Sequence, residues 1–112
     1  MKIFILDDMQ ERHDAYKRKF PDAEIISTYD AKEAIVLLSN DLNYDLICLD
    51  HDLGLRIFVD TEDENTGSVV AKFLSDKDIK CPIIIHSLNC WGAKNMMNYL
   101  SQAEYRPFFF NL

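Results

Sequence analysis

The sequence predicts an α/β fold: a five-stranded parallel sheet with helices on both faces, in three layers. Short continuous apolar runs recur along the chain, and between them lie longer stretches whose apolar residues fall at helical spacing. Three of the runs also stop abruptly in polar groups, at Asp7 and Asp8, at Asp50, His51 and Asp52, and at His86 and Ser87. Apolar runs without alternation suit strands buried on both faces, and strand alternating with helix selects a parallel sheet.

The first strand is Lys2–Leu6, an unbroken apolar run ending at Asp7. Residues 9–20 read as a helix through Ala15, Tyr16 and Phe20, closed by Pro21 and Asp22. Residues 24–27 give a second strand. Residues 28–40 give a helix with Ala31, Ala34, Ile35, Leu37 and Leu38 on one stripe, its start capped by Asp30 or Thr28. The run 44–49 is the third strand. Residues 53–65 lack periodicity and form a long loop, a candidate lid. Thr66 and Gly67 open a helix to about Ser75, with Val69, Val70, Phe73 and Leu74 inward. Residues 82–86 are the fourth strand, and 89–103 a helix weakened in its first turn by Gly92. Residues 105–110 read as a fifth strand, which Pro107 places at an edge. No internal repeat or linker divides the order β-α-β-α-β-α-β-α-β, so residues 1–112 read as one domain.

Composition agrees. The 112 residues are 48% hydrophobic and 28% charged, enough to bury a core and contrary to intrinsic disorder. Twelve Lys and Arg against 19 Asp and Glu leave a net charge of −7, which disfavours an extended nucleic-acid track but not an acidic site that reaches phosphate through a bound cation. Cys48, Cys81 and Cys90 form neither an even set nor a CxxC pair and read as reduced, packed thiols. No apolar run approaches the roughly 18 residues of a membrane span, and no signal-peptide pattern opens the chain. The expectation is a cytoplasmic protein without membrane contact.

Acids that directly follow buried strands converge at one edge of the sheet, where open α/β sheets bind ligands. Converging carboxylates repel unless a cation lies between them. A hard divalent ion, Mg²⁺ or Mn²⁺, suits oxygen ligands and keeps waters for a phosphate to replace. The candidate ligands are Asp7, Asp8, Asp50 and Asp52, although Asp8 and Asp52 serve equally as cap or turn residues.

With these residues in these positions, the chain resembles a response-regulator receiver domain over nearly its whole length. Asp7 and Asp8 match the acidic pair after the first strand, Asp50 the acid ending the third, and Ser87 the hydroxyl ending the fourth. The resemblance implies a flavodoxin-like fold in which the acids hold Mg²⁺, Asp50 accepts a phosphoryl group and Ser87 reports it. Departures are equally specific. The Lys expected after the fifth strand has no clear counterpart, Arg106 being nearest; the final helix is missing; and His51 and His86 are unusual. The pattern Leu49 to Gly54, Thr66-Gly67, His86 to Asn89 and Gly92 to Met96 is similar to the cyclic-phosphate-processing receiver domains. That resemblance implies a phosphoesterase acting on cyclic-phosphate nucleotides or RNA ends.

The residues suit such chemistry. Opening a 2′,3′-cyclic phosphate needs an activated water, a stabilised anionic transition state and a protonated leaving oxygen. A metal on Asp7, Asp8 and Asp50 polarises the phosphate. An unperturbed imidazole titrates near neutrality, as a general base and a general acid require, which makes His51 and His86 the candidates for those roles beside Asp50. Ser87, Asn89 and Asn95 offer hydrogen bonds to phosphate, and Gly92 allows close approach to a helix start. Against these stand plainer roles: His51 as a hydrogen-bonding residue and His86 as a core histidine. A two-histidine Zn²⁺ site lacks any local motif. The run 60–64 has no EF-hand spacing and reads as a solvated loop. Trp91 is placed to stack on a base or to pack on its helix, and Phe108, Phe109 and Phe110 to fill the sheet or to form an oligomer contact. Three functions remain open: a phosphoesterase taking a small phosphorylated nucleotide or RNA end, a phospho-accepting receiver, and a degenerate receiver that only binds a ligand or partner.

Overall fold

A computed structural model describes residues 1–111. Five strands, β1 (Lys2–Leu6), β2 (Glu24–Thr28), β3 (Leu46–Leu49), β4 (Ile83–Ile85) and β5 (Glu104–Tyr105), alternate with four helices, α1 (Gln10–Lys19), α2 (Ala31–Asn40), α3 (Gly67–Leu74) and α4 (Cys90–Tyr99). All strand pairs are parallel, in the order β2-β1-β3-β4-β5. The chain therefore runs outward from β1 to β2 and returns across β1 to β3, so the strand order reverses between β1 and β3. No helix among the described residues is long and apolar enough to cross a membrane.

Side-chain alternation sorts the sheet into two faces. Phe4, Leu6, Ile47, Leu49, Ile83 and Ile85 join the larger core, under Ala31, Ala34 and Leu38 of α2, Val70, Ala71 and Leu74 of α3, and Ala93 and Met96 of α4. Ile3, Ile5, Cys48 and Ile84 face the other way, onto Tyr16 of α1 and the rings of Phe20, Phe109 and Phe110.

Register decides what meets at the sheet's C-terminal edge. Leu6 lies opposite Leu49, and Leu49 opposite Ile85. The next residues along, Asp7, Asp50 and His86, thus form one row, and alternation sends their side chains to the α1 face. His51 and Ser87, one residue further or sharing the opposite parity, fall on the α3 and α4 face.

Most elements form where the sequence places them, with ends shifted by one to four residues. Thr28 belongs to β2 rather than to the following helix, its hydroxyl donating to the Ile5 carbonyl at 2.7 Å. Asp30 is the cap of α2, accepting from the Glu33 amide at 2.8 Å. The expected strand 105–110 is corrected. Only Glu104 and Tyr105 pair with β4, because after the Arg106 amide bonds the Ile85 carbonyl at 2.9 Å the chain turns, with Phe109 N–H donating to the Arg106 carbonyl and Asn111 N–H to that of Phe108. No helix follows among the described residues.

Candidate functional site

Asp7 ends β1 fully buried and spends its carboxylate on three donors. Oδ1 accepts from the Met9 amide at 2.8 Å, and Oδ2 accepts from His86 Nε2 at 2.9 Å and from Arg12 Nη1 at 3.3 Å. Burial opposes the Asp7 charge, but these partners, His86 foremost, hold its carboxyl below the ordinary range. A carboxylate can only accept, so His86 carries its proton on Nε2. Its Nδ1, 2.7 Å from the Tyr16 hydroxyl, then accepts from that group. Burial lowers the pKa of His86 despite the pull of Asp7, which fits a neutral ring.

Asp50 is the strained member of the group. Oδ1 accepts from the His51 amide at 2.8 Å and Oδ2 from Arg12 Nη1 at 3.2 Å. Burial and the neighbouring charge of Asp7 push its pKa up to about 8, against the pull of Arg12. Ligand atoms of Asp7, Asp50 and His86 lie within 4.8 Å of one another.

Arg12 is the residue sequence reasoning missed. One guanidinium nitrogen bridges both acids, in the place where a cation between them would sit. A signal existed: α1 faces the row of Asp7, Asp50 and His86, and Arg12 and Tyr16, four residues apart, share one side of it. Arg106, the nearest sequence candidate for a basic partner, is instead exposed, 3.7 Å from Glu104 and stacked near the Phe109 ring.

A second polar cluster lies on the other face. Asp52 Oδ1 sits 2.8 Å from His51 Nδ1 and accepts from Asn89 Nδ2 at 3.0 Å and the Val59 amide at 3.2 Å, while Oδ2 accepts from the Phe58 amide at 2.6 Å. Burial opposes this charge, but Asn89, His51 and the two amides outweigh it and lower the pKa. Asp52 thereby pins the loop 53–65 to the sheet. His51 is fully buried beneath Gly92, and its Nε2 has no partner among the described residues. The Gly92 amide is already bonded to Asn89 Oδ1 at 3.0 Å.

Above Arg12 and Asp50 opens a cleft of about 340 Å³, lined also by Asp8, Asp52, Arg56 and Asn89 and walled by Leu55, Ile57, Phe58 and Leu88. These four apolar side chains are each more than half exposed. Asp8 accepts from the Leu55 amide at 2.6 Å, and burial raises its pKa.

A sequence profile for the cyclic-phosphate processing receiver domain matches residues 1–102. The chain belongs to that family. Solved structures similar to this receiver domain include a two-component response regulator from Clostridium difficile, 22% identical over 99% of this chain and 85% of that one, at a TM-score of 0.71. The receiver domain of the Francisella response regulator 1452 is 24% identical over 97% and 86%, at 0.67. TrrA of Thermotoga maritima, a response regulator in complex with Mg²⁺ and BeF, is 19% identical over 97% and 89%, at 0.66. At these identities the likeness is one of fold. No curated protein matches the sequence.

Of the residues singled out from sequence, the receiver domain thus brings Asp7, Asp50 and His86 into one cluster and Asp52, His51, Asn89 and Gly92 into another. Asp8, Asp50, Asp52 and Asn89 reach the cleft. His51 and His86 lie beneath it, fully buried. Ser87 is buried, its Oγ accepting from the Asn89 amide at 3.1 Å. Asn95 lines a different hollow, with Thr61, Glu62, Ser68, Lys72 and Tyr99. Trp91 is 78% exposed and away from the cleft. The run 60–64 is an exposed turn whose Asp63 forms a two-pronged pair with Arg56 at 3.0 and 3.1 Å.

Proposed function

We propose that this receiver domain hydrolyses a cyclic phosphate on a small nucleotide or RNA end, in the cleft above Arg12 and Asp50. The carrying observation is the lining of that cleft, which sets a guanidinium and an acid of raised pKa on the floor and four exposed apolar side chains on the walls. Such walls would give a nucleoside base an apolar face to bury against while its phosphate meets Arg12.

In this reading Arg12 grips the phosphate and Asp50, with a pKa near 8, is largely protonated at neutrality and acts as the acid. Water adds to phosphorus, an endocyclic P–O bond breaks, and the departing ribose oxygen takes the Asp50 proton. A proton from the attacking water restores the acid, leaving a phosphomonoester. His86 acts indirectly, by fixing Asp7 beside Asp50, and His51 acts through Asp52, which anchors the Phe58 wall. Two facing buried carboxylates, one with its pKa driven upward, also suit a hard divalent cation. Asp7 and Asp50 would hold it, both ionised, and Mg²⁺ or Mn²⁺ bound there would supply Lewis-acid polarisation of phosphate oxygens in place of the Asp50 proton, the leaving oxygen then taking its proton from water.

The second reading is a phospho-accepting receiver, supported by the position of Asp50 after β3 and by TrrA, whose structure carries Mg²⁺ and BeF. One pair of assays separates them. Incubation with 2′,3′-cyclic nucleotides and Mg²⁺ or Mn²⁺ is expected to give phosphomonoesters, with Asp50→Asn lowering turnover at least about a hundredfold and Phe58→Ala raising KM. No turnover, together with an acid-labile adduct on Asp50 from a small phosphoryl donor, overturns the hydrolase in favour of the receiver.

A further inference from the structure

Arg12 meets its two acids with a single nitrogen, at 3.3 and 3.2 Å. Charged N–H···O bonds close to about 2.7–2.9 Å when well made, and Arg favours a two-pronged grip on one carboxylate. Neither condition holds. Among the described residues Nε and Nη2 of Arg12 donate to no protein acceptor, and the side chain, 18% exposed, lines the cleft. Its position is instead set by packing: the Phe110 ring lies 5.2 Å from Cζ. The guanidinium therefore stands between the acid pair and the cleft that Arg12 lines, with two of its nitrogens free to donate.

A divalent cation shared by Asp7 and Asp50 and the Arg12 guanidinium cannot occupy the same place. We infer that Arg12 is a displaceable counter-ion: it fills the gap between Asp7 and Asp50 in the free protein, is expelled into the cleft when a divalent cation binds those acids, and there grips phosphate with its free fork. Cation and phosphate then bind cooperatively. The cation releases the fork, and a phosphate that captures the fork keeps it from returning. This inference rests on the reading that the acid pair takes a divalent ion.

Mn²⁺ binding tests it directly, measured by water-proton relaxation on the full chain with folding checked by circular dichroism. Arg12→Gln, nearly as long but neutral, is expected to bind Mn²⁺ about tenfold tighter than the natural protein or better, because no resident charge must be displaced. Arg12→Lys, which restores the charge, is expected to return affinity toward the natural value. Inorganic phosphate is expected to tighten Mn²⁺ binding in the natural protein and not in Arg12→Gln. Equal Mn²⁺ affinity in the natural protein and Arg12→Gln, or weaker binding in the variant, overturns the counter-ion while leaving the cation reading intact. Absence of Mn²⁺ binding in every variant overturns both.

Discussion

Asp50 stands where a charge is poorly tolerated, 3% exposed and beside a second buried acid. An unfolded Asp has a pKa near 4 (about 3.9), whereas the folded group sits at about 8. Below about pH 4 both states bind the proton. Between the two values the folded state binds it more tightly, so that contribution to stability is full in acid and is lost as pH rises through the folded pKa. Asp50→Asn, an uncharged isostere, has no such loss. Its thermal midpoint is expected to draw ahead of the natural protein's from about pH 4 upward, the lead reaching on the order of 20 °C near pH 8.5. Calorimetry across that range checks this, and a gap that stays constant would count against a buried, charge-strained Asp50. The acids and His86 were legible in the sequence because each directly follows an apolar run. Arg12 was not, since 38 residues separate it from Asp50 and only strand register and side-chain parity bring them together. Burial of His86 was legible only as one of two readings and that of His51 was hidden: a histidine at a strand end looks the same whether it faces solvent or a helix.

Helices α3 and α4 reach the sheet edge through two glycines. A Cβ on Gly67 would lie 2.0 Å from the Asp50 carbonyl oxygen, and one on Gly92 would lie 2.3 Å from Cγ of His51. Both helices thus begin in direct contact with the residues after β3, and this closeness puts the Asn89 cap within reach of Asp52. Gly67→Ala strikes backbone, which cannot rotate aside, and is expected to cost about 3 kcal/mol in urea unfolding, the upper part of the overpacking range. Asn98→Ala, exposed on α4, is expected to stay within about 0.5 kcal/mol. Comparable losses in the two variants would mean that the α3 approach is not tight. At this scale the sequence was most informative where apolar periodicity is long, as in α2, or uninterrupted, as in β1. It misled at 105–110, where Tyr105 and three phenylalanines imitate a strand. Pro107, which signals an edge, in fact ends the ladder, and the rings turn back to cover the sheet.

Over the whole molecule, a parallel sheet followed from alternation alone, whereas the strand order with its reversal between β1 and β3 and the covering of the two sheet faces did not. Three helices close one face. The other has α1 and, at its far end, the turn that carries Phe109 and Phe110. Phe109 lies 6.3 Å from the Tyr16 ring and 6.2 Å from that of Phe20, and its carbonyl accepts from Lys19 Nζ, so this turn binds the C-terminal half of α1. Cys48 lies in the core beneath that cover, fully buried, its thiol pushed up to about 12 chiefly by burial. Cys90 is exposed and Cys81 half-buried. Thiol labelling followed by mass spectrometry is therefore expected to show two accessible cysteines and one slow one, the slow rate reporting opening of this face. Phe109→Ala removes a partly buried ring at a cost of about 1.5 kcal/mol or more, and is expected to speed Cys48 labelling about tenfold while leaving Cys90 unchanged. Phe108→Ala, at an exposed ring, is expected to leave all three rates alone. If Phe109→Ala leaves the slow rate unchanged, the face over Cys48 opens without help from the terminal turn, and α1 alone is its cover.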